Sequence, residues 1–222
     1  MYKRQCQISE ANRYYIRWSH QIKTPIAALR LLLEEEEPDR AAMEGEIYRI
    51  EQYVEFALQY QRLEGGHKDL VFAHYSLESI VKKALKKTGV LFRRTKLALE
   101  LGNLQTDVLT DEKWLVFVLE QVLTNAVKYT RKGKISIYLD PEKEKTLVVE
   151  DTGMGIRPED LPRIFEWGYT GYNGRIKNRA TGIGLALCRQ TMEMLGHRIS
   201  AKSEPGKGTS VHMVRRLGNQ EG

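Results

Sequence analysis

Two heptad seams in the first part of the chain constrain its fold more than any other feature. In each seam, mostly apolar residues recur at alternating spacings of four and three: first Tyr15, Ser19, Ile22, Ile26, Leu29 and Leu33, then Met43, Ile47, Ile50, Val54, Ala57 and Gln61. Such spacing is typical of helices that pack along one stripe. The acidic run EEEE and Pro38-Asp39 lie between the seams and predict a turn. The segment is therefore predicted to be a helical hairpin.

A two-helix hairpin buries too little apolar surface to be stable alone. Pairing with a second hairpin would complete a four-helix bundle, so we predict a homodimer. The alternative is that the helices pack on the rest of their own chain. The glycine-containing break LEGGHK follows the second seam. We therefore expect a hairpin at residues 1–64, a linker at 65–69, a second domain at 70–217 and a tail at 218–222.

The second domain has a different texture, in which strand and helix patterns are mixed. Strands are predicted at 69–76, 96–101, 107–109, 134–139, 145–150, 198–203 and 209–215. Helices are predicted at 77–88, 111–129 and 182–195, with Asp111 as an N-cap and one short helix near 159–165. Residues 153–181 are a long segment dense in Gly, Pro, Arg and Asn. Because most strands are linked as hairpins, we predict an α+β sandwich with helices on one face of a mixed sheet.

The bulk composition excludes several classes of protein. The 222 residues carry a formal net charge of +6, but the basic residues are scattered, without recognition motifs or stacking aromatics, so no nucleic-acid partner is predicted. The basic charge fits a solvated surface, ATP, an acidic partner or an anionic membrane face. No apolar run approaches the roughly 20 residues of a membrane helix. Cys6 and Cys188 lack metal-ligand spacing and fit reduced thiols in the cytosol.

Two segments of the second domain carry groups suited to a nucleotide. Asn125 and Lys128 lie three residues apart and share a helix face. The asparagine offers a neutral oxygen to Mg²⁺, and the lysine offers charge to a phosphate. Asp151 ends a predicted strand, with Gly153 and Gly155 behind it. A fixed carboxylate there can accept a hydrogen bond from an exocyclic amine, and the glycines allow close approach.

A third segment, TGIGLAL, leads Gly182 and Gly184 into a helix whose first N–H groups attract an anion. It matches neither the Walker pattern nor the protein-kinase glycine loop with its companion motifs. His20, in WSHQIKTPI, lies beside the first seam and is a titratable nucleophile. An imidazole and a nucleotide pocket on one chain predict phosphoryl transfer to nitrogen.

The order of these motifs resembles that of the sensor histidine kinases of two-component systems. HQIKTP resembles the H box, QVLTNAVKYT the N box, DTGMGI the first glycine box, RIFEWGYTG the phenylalanine box, TGIGLAL the second glycine box and GKGTSV the closing threonine strand. The resemblance implies an N-terminal dimerisation and histidine-phosphotransfer hairpin, hence a dimeric four-helix bundle. A GHKL-type α/β sandwich that binds ATP would follow it.

A finer resemblance, in WSHQIKTPI and LPRIFEWGYTGYNGR, is to the antimicrobial-peptide-sensing kinases of Gram-positive bacteria, the bacitracin-sensor type. Those proteins have two membrane helices and work beside an ABC transporter. By this resemblance the spans precede Met1, and this chain is the cytosolic portion of a protein at the bacterial cell membrane.

The resemblance implies that ATP and Mg²⁺ phosphorylate His20, and that the phosphoryl group passes to an aspartate in the receiver domain of a response regulator. It implies phosphatase activity toward that regulator as well. It assigns Mg²⁺ to Asn125, phosphate to Lys128, and the adenine amino group to Asp151 with Thr209 close by through water. The other implied nucleotide-site residues are Tyr129, Gly153, Gly155, Phe165 in the mobile lid, Arg175 or Arg179 reaching phosphate, Thr181, Gly182, Gly184 and Leu185.

The chain departs from the family pattern beside the phosphoacceptor. Many members have an acidic residue there, whereas this chain has Gln21, which can orient the His20 ring but cannot take a proton. Thr24 matches the position that orients water for dephosphorylation, although it is also a plausible structural residue ahead of Pro25. Gln121 replaces the glutamate that activates water in ATPases of this fold, which favours transfer to histidine. The rival hypotheses are a GHKL conformational ATPase and a nucleotide-binding dimeric scaffold.

Overall fold

The computed structural model describes residues 18–19, 21–35, 37–64, 70–93, 95–143, 145–172 and 182–214. The chain divides into two compact units, Met1–Gly66 and His67–Gly222. The first unit contains helix α1 at residues 21–33 and helix α2 at Arg40–Glu64. Asp39 starts α2, because its carboxylate accepts a hydrogen bond from the Ala42 N–H at 3.0 Å. The predicted pair of helices is confirmed.

The heptad seam is not the face of α2 that is buried in the chain. Tyr48, Phe56 and Tyr60 are each 7% exposed and belong to the core. Four seam residues remain between 37% and 57% exposed: Ile26, Leu33, Ile47 and Val54. The other described apolar residues of the seam are half-buried, so a single chain leaves the seam partly open to solvent.

The described residues of the second unit include a five-stranded mixed sheet, a separate two-stranded ribbon and three helices of more than two turns. The sheet order is β2-β4-β5-β7-β6, in which β2 and β4 are parallel and the other pairs antiparallel, while β1 and β3 form the antiparallel ribbon. The strands are β1 Ala73–Ser76, β2 Ala98–Leu101, β3 Asp107–Thr110, β4 Lys134–Leu139, β5 Thr146–Asp151, β6 Arg198–Glu204 and β7 Gly208–Val214. The helices are α3 Leu77–Arg93, α4 Glu112–Tyr129 and α5 Gly184–Met194.

Helix α4 is the central helix of this unit. It contacts α3, α5 and β5, and most of its residues are buried because they are apolar on nearly every side. Asp111 caps it as predicted, since its Oδ1 accepts hydrogen bonds from the N–H groups of Lys113 and Trp114 at 3.0 and 3.3 Å. The sheet supplies the other wall of the core through Ile135 and Ile137, which alternate with outward-facing polar residues. This packing fixes the C-terminal turn of α4 against the sheet.

Several element boundaries differ from the predictions. The strand predicted at 69–76 begins only at Ala73, because the Val71 N–H donates to the Asp111 carboxylate at 2.9 Å instead of pairing in the ribbon. The short helix predicted near 159–165 is a 3₁₀ turn, Leu161–Arg163. Helix α3 continues to Arg93, beyond its predicted end. Within the ranges given above, every helix is too short or too polar to cross a lipid bilayer.

Candidate nucleotide and phosphoacceptor sites

Asp151 is a buried carboxylate at the last position of β5. It is 9% exposed. Its Oδ1 accepts hydrogen bonds from the Gly153 N–H at 2.8 Å and from the Thr130 hydroxyl at 3.3 Å. Burial raises the pKa of the Asp151 carboxyl, whereas these two hydrogen bonds favour the ionised form and lower that pKa. The carboxylate is thus buried and held in place by two donors, and in its ionised form it can accept a hydrogen bond from an amine.

The loop after β5 is tied to the end of α4. The Met154 N–H donates to the Tyr129 carbonyl at 3.2 Å. Asn125 and Lys128 are half-buried on the last two turns of α4. The Lys128 ammonium lies 5.1 Å from the centroid of the Tyr129 ring, and burial raises the pKa of the Tyr129 phenol. The N-box groups and Asp151 therefore belong to one corner of the fold.

Two of the predicted glycines are required by close backbone approach. Gly155 has φ of +68°, and a Cβ there would lie 2.0 Å from the Glu204 carbonyl oxygen. Gly182 also has φ of +68°, and its Cβ would lie 2.4 Å from the carbonyl carbon of Gly168. The Gly168 N–H donates to the Gly182 carbonyl at 2.9 Å. This bond joins Gly168, which lies within the predicted lid segment 153–181, to Gly182 directly after that segment.

Gly184 is the first residue of α5, and Leu185 lies in its first turn, half-buried. Phe165 is also half-buried, with the Arg189 guanidinium of α5 lying 5.9 Å from its ring centroid. These positions place the phenylalanine box beside the helix that follows the second glycine box.

Asp160 anchors residues 169–172 of the predicted lid, a contact that the sequence did not reveal. Asp160 is 6% exposed, and its carboxylate accepts hydrogen bonds from the Tyr169 hydroxyl and, at 2.9 Å, from the Tyr172 N–H. Two guanidinium groups stack on the same tyrosines: Arg157 lies 3.4 Å from the Tyr172 ring centroid and Arg163 4.2 Å from that of Tyr169. The segment is thus held by charge-assisted bonds rather than by an apolar core.

Thr209 lies opposite Asp151 in the ladder between β5 and β7. Its hydroxyl is 2.9 Å from that of Ser203. Ser203 donates to the Gly208 carbonyl and accepts from the Ile156 N–H, both at 2.8 Å. Because the single Ser203 proton is used, the Thr209 hydroxyl donates to Ser203 and keeps its lone pairs as acceptors. Ser203 is a second residue that sequence reasoning missed.

Tyr53 of α2 contacts Trp18 and Gln21, two described residues that flank the predicted phosphoacceptor in the sequence. The Trp18 indole N–H donates to the Tyr53 carbonyl at 2.5 Å, and the Tyr53 hydroxyl donates to Gln21 Oε1 at 3.4 Å. Burial raises the pKa of the Tyr53 phenol, which keeps it a donor. Thr24 is exposed while its neighbour Pro25 is buried. One residue of α2 thus contacts the helix on both sides of position 20 in sequence.

Four predicted site residues lie outside the described part of the chain: His20, Arg175, Arg179 and Thr181. Thr130, which contacts Asp151, is the last residue of the motif QVLTNAVKYT, but nothing in the sequence assigns it a role. Its position directly after Tyr129 was the only signal in the sequence. Asp160 offered none, since its partners lie nine and twelve residues along the chain in a segment without periodicity.

The chain is similar in sequence to known proteins. Residues 110–218 match the family described as "Histidine kinase-, DNA gyrase B-, and HSP90-like ATPase". The sensor protein BceS of Halalkalibacterium halodurans is 36% identical over 200 residues, which cover 89% of this chain and 60% of BceS. The sensor histidine kinase YxdK of Bacillus subtilis is 35% identical over 205 residues, covering 89% of this chain and 62% of YxdK.

A solved structure, the Acinetobacter baumannii histidine kinase AdeS, shares the fold. Its TM-score is 0.62 at 23% identity, and the match covers 90% of this chain and 98% of that one. The chain spans about three-fifths of the length of BceS and YxdK.

Proposed function

We propose that this chain is an ATP-dependent protein-histidine kinase. Residues 110–218 match the histidine kinase, DNA gyrase B and HSP90 ATPase family, and the chain is similar to sensor histidine kinases. It phosphorylates His20 and passes the phosphoryl group to an aspartate in the receiver domain of a response regulator. The observation that carries the proposal is the corner at which Asp151, the glycine loop and the end of α4 are tied together. The same chain carries the H-box hairpin.

The residues at this corner fit ATP. The ionised form of Asp151 accepts a hydrogen bond from the adenine amino group, and Thr209 retains acceptor lone pairs on the neighbouring strand. The close backbone approaches at Gly155 and Gly182 leave no room for a Cβ at either glycine. Lys128 supplies a cation for phosphate at the end of α4.

The same helix face fits Mg²⁺, because the Asn125 amide offers the kind of neutral oxygen that this cation takes. When bound with ATP, the metal supplies neutralisation of the phosphate charge. Gln121, one turn earlier and buried, has no carboxylate with which to deprotonate water. The site therefore favours transfer to histidine over hydrolysis.

The transfer needs one nitrogen of His20 as nucleophile and the other as proton carrier. The attacking nitrogen forms a bond to the γ-phosphorus while the bond to the oxygen that bridges the β-phosphate breaks, and ADP leaves. Gln21 accepts a hydrogen bond from the second ring nitrogen and fixes the tautomer, and Tyr53 in turn donates to the Gln21 amide oxygen. Because Gln21 cannot take a proton, another group or water accepts the proton that the ring loses. A Gln21→Glu variant tests this role: a carboxylate is expected to raise autophosphorylation and move its pH profile, and an unchanged rate and profile would argue against it.

A homodimer provides the partner for the open seam. The four exposed apolar seam residues of α1 and α2 form a stripe on each hairpin, and a second copy buries it as a four-helix bundle. In the full-length protein we place this chain on the cytoplasmic face of the membrane, in a sensor of the antimicrobial-peptide type that acts beside an ABC transporter.

Thr24 carries the proposed phosphatase step. It is exposed, four residues after His20 on the same helix face, and so is accessible to a receiver domain. Thr24→Ala is expected to keep autophosphorylation and to lose dephosphorylation of the phosphorylated regulator. Intact phosphatase activity in that variant, measured with purified phospho-regulator, would remove this assignment.

One labelling experiment separates the kinase from its rivals. The chain is incubated with γ-labelled ATP and Mg²⁺, and the protein-bound label is tested for acid lability and for its absence in His20→Ala. Acid-labile label that the variant lacks supports the kinase. Release of phosphate without labelled protein identifies a conformational ATPase, and neither product identifies a nucleotide-binding scaffold.

A further inference from the structure

Thr130 links the end of α4 to the carboxylate at the end of β5. It is the C-cap of α4, where its N–H donates to the Ala126 carbonyl at 3.1 Å. Its side chain is 3% exposed, and its hydroxyl donates to Asp151 Oδ1 at 3.3 Å. The two residues are 21 positions apart, so the contact exists only in the folded unit.

The hydrogen-bond pattern around Asp151 divides its two oxygens. Oδ1 already accepts the Gly153 N–H and the Thr130 hydroxyl, which uses both of its lone pairs. With the Thr209 N–H as a third donor to the carboxyl, Oδ2 keeps one lone pair for a ligand. We propose that Thr130 is a positioning residue that holds Asp151 as a hydrogen-bond acceptor and so sets the preference of this site for 6-amino over 6-oxo purine nucleotides. This inference rests on the proposed binding of ATP.

The charge balance at Asp151 makes the Thr130 hydroxyl important. Burial raises the pKa of the Asp151 carboxyl, and the charge of Glu150 on the same strand raises it further. The opposing groups are uncharged donors: the hydroxyl of Thr130 from α4, the N–H of Gly153 from the loop and the N–H of Thr209 from β7. Removing the hydroxyl shifts the balance toward the protonated carboxyl.

The protonation state of Asp151 decides whether the site binds a 6-amino or a 6-oxo purine. An ionised carboxylate accepts from the 6-amino group of ATP and repels the 6-oxo oxygen of ITP. A protonated carboxyl donates to that oxygen instead. ATP affinity therefore falls as the pH drops through the pKa of Asp151, and this fall begins at a higher pH once the hydroxyl is gone.

The test measures binding of Mg²⁺-ATP and Mg²⁺-ITP by calorimetry to the full chain and to Thr130→Val and Thr130→Ser, from about pH 5 to about pH 9. The expected result for Thr130→Val is a loss of ATP affinity of about three- to tenfold at the acid end, roughly the net effect of one ordinary hydrogen bond. Its curve converges with the parent curve at the alkaline end, and the ratio of ITP to ATP affinity rises at acid pH. Thr130→Ser, which restores the hydroxyl, follows the parent.

Parallel ATP curves at all pH values, or an unchanged ratio of ITP to ATP affinity, would overturn the assignment, because damage to packing alone lowers affinity evenly. Thermal unfolding checks that each variant is folded, and Thr130→Ala replaces Thr130→Val if the valine variant does not fold. Failure of the parent chain to bind ATP would instead remove the proposed function, which keeps the two outcomes distinct.

Discussion

Asp160 offers the sharpest test of how the lid is held. Asp160→Ala removes one carboxylate and with it the bonds to the Tyr169 hydroxyl and the Tyr172 N–H. A hydrogen bond to a charged group contributes about 1.5 to 3 kcal/mol, and the lower end applies because both tyrosines are partly open to water. The two bonds together stabilise the closed base of the lid by about 3 kcal/mol, or roughly a hundredfold in its opening equilibrium.

Hydrogen exchange followed by mass spectrometry reports this opening directly. Amides between residues 161 and 172 are expected to exchange up to about a hundred times faster in Asp160→Ala, and the KM for ATP is expected to rise. Glu159→Ala is the matched control, since it removes a neighbouring exposed carboxylate whose ion pair to Arg157 is long at 3.8 Å. Equal exchange in the two variants would refute the argument that Asp160 holds the lid.

Three further predictions follow from the geometry. In urea unfolding, Gly182→Ala should destabilise the ATP-binding unit by about 2 to 3 kcal/mol more than Gly196→Ala. Both glycines have positive φ, but of the two only Gly182 has backbone atoms within 3 Å of an added Cβ. Equal losses in the two variants would contradict this. Tyr53→Phe should lower the autophosphorylation rate at unchanged KM for ATP, because it removes the donor to Gln21 but keeps the ring; an unchanged rate would argue against positioning. Burial and the charge of Lys202 lower the pKa of His212, so the unfolded chain binds more protons than the folded one below about pH 6.5. The free energy of unfolding should therefore fall as the pH drops below about 6.5. His212→Asn should reduce this pH dependence in thermal unfolding measured at several pH values.

Local patterns predicted much of the fold. Asp111 was recognisable as an N-cap because a carboxylate that caps a helix bonds to amides two and three residues along. The hairpin of β4 and β5 followed from two apolar runs around a proline. Where prediction failed, a distant group had intervened, as at Val71, whose N–H bonds to Asp111 forty residues away.

The candidate site divides in the same way. The glycine motifs and Asp151 were visible because each has its own short signature. The partners of Asp151 were not, since Thr130 and Asp151 meet only when α4 packs on the sheet. The joining of Gly168 to Gly182 across the lid, and the anchoring of the lid by Asp160, were invisible for the same reason.

The sequence by itself determined the resemblance to a family, the order of the motifs and the periodicity of the helices, because each depends on residues that are neighbours along the chain. Only the tertiary structure decided which face of α2 is buried, which oxygen of Asp151 is already occupied and what holds the lid. Those outcomes depend on which distant groups satisfy a buried polar atom, and that choice is made by packing rather than by spacing. The heptad seam is an example. Its period is evident in the sequence, whereas only the structure shows that four of its apolar residues are exposed in a single chain.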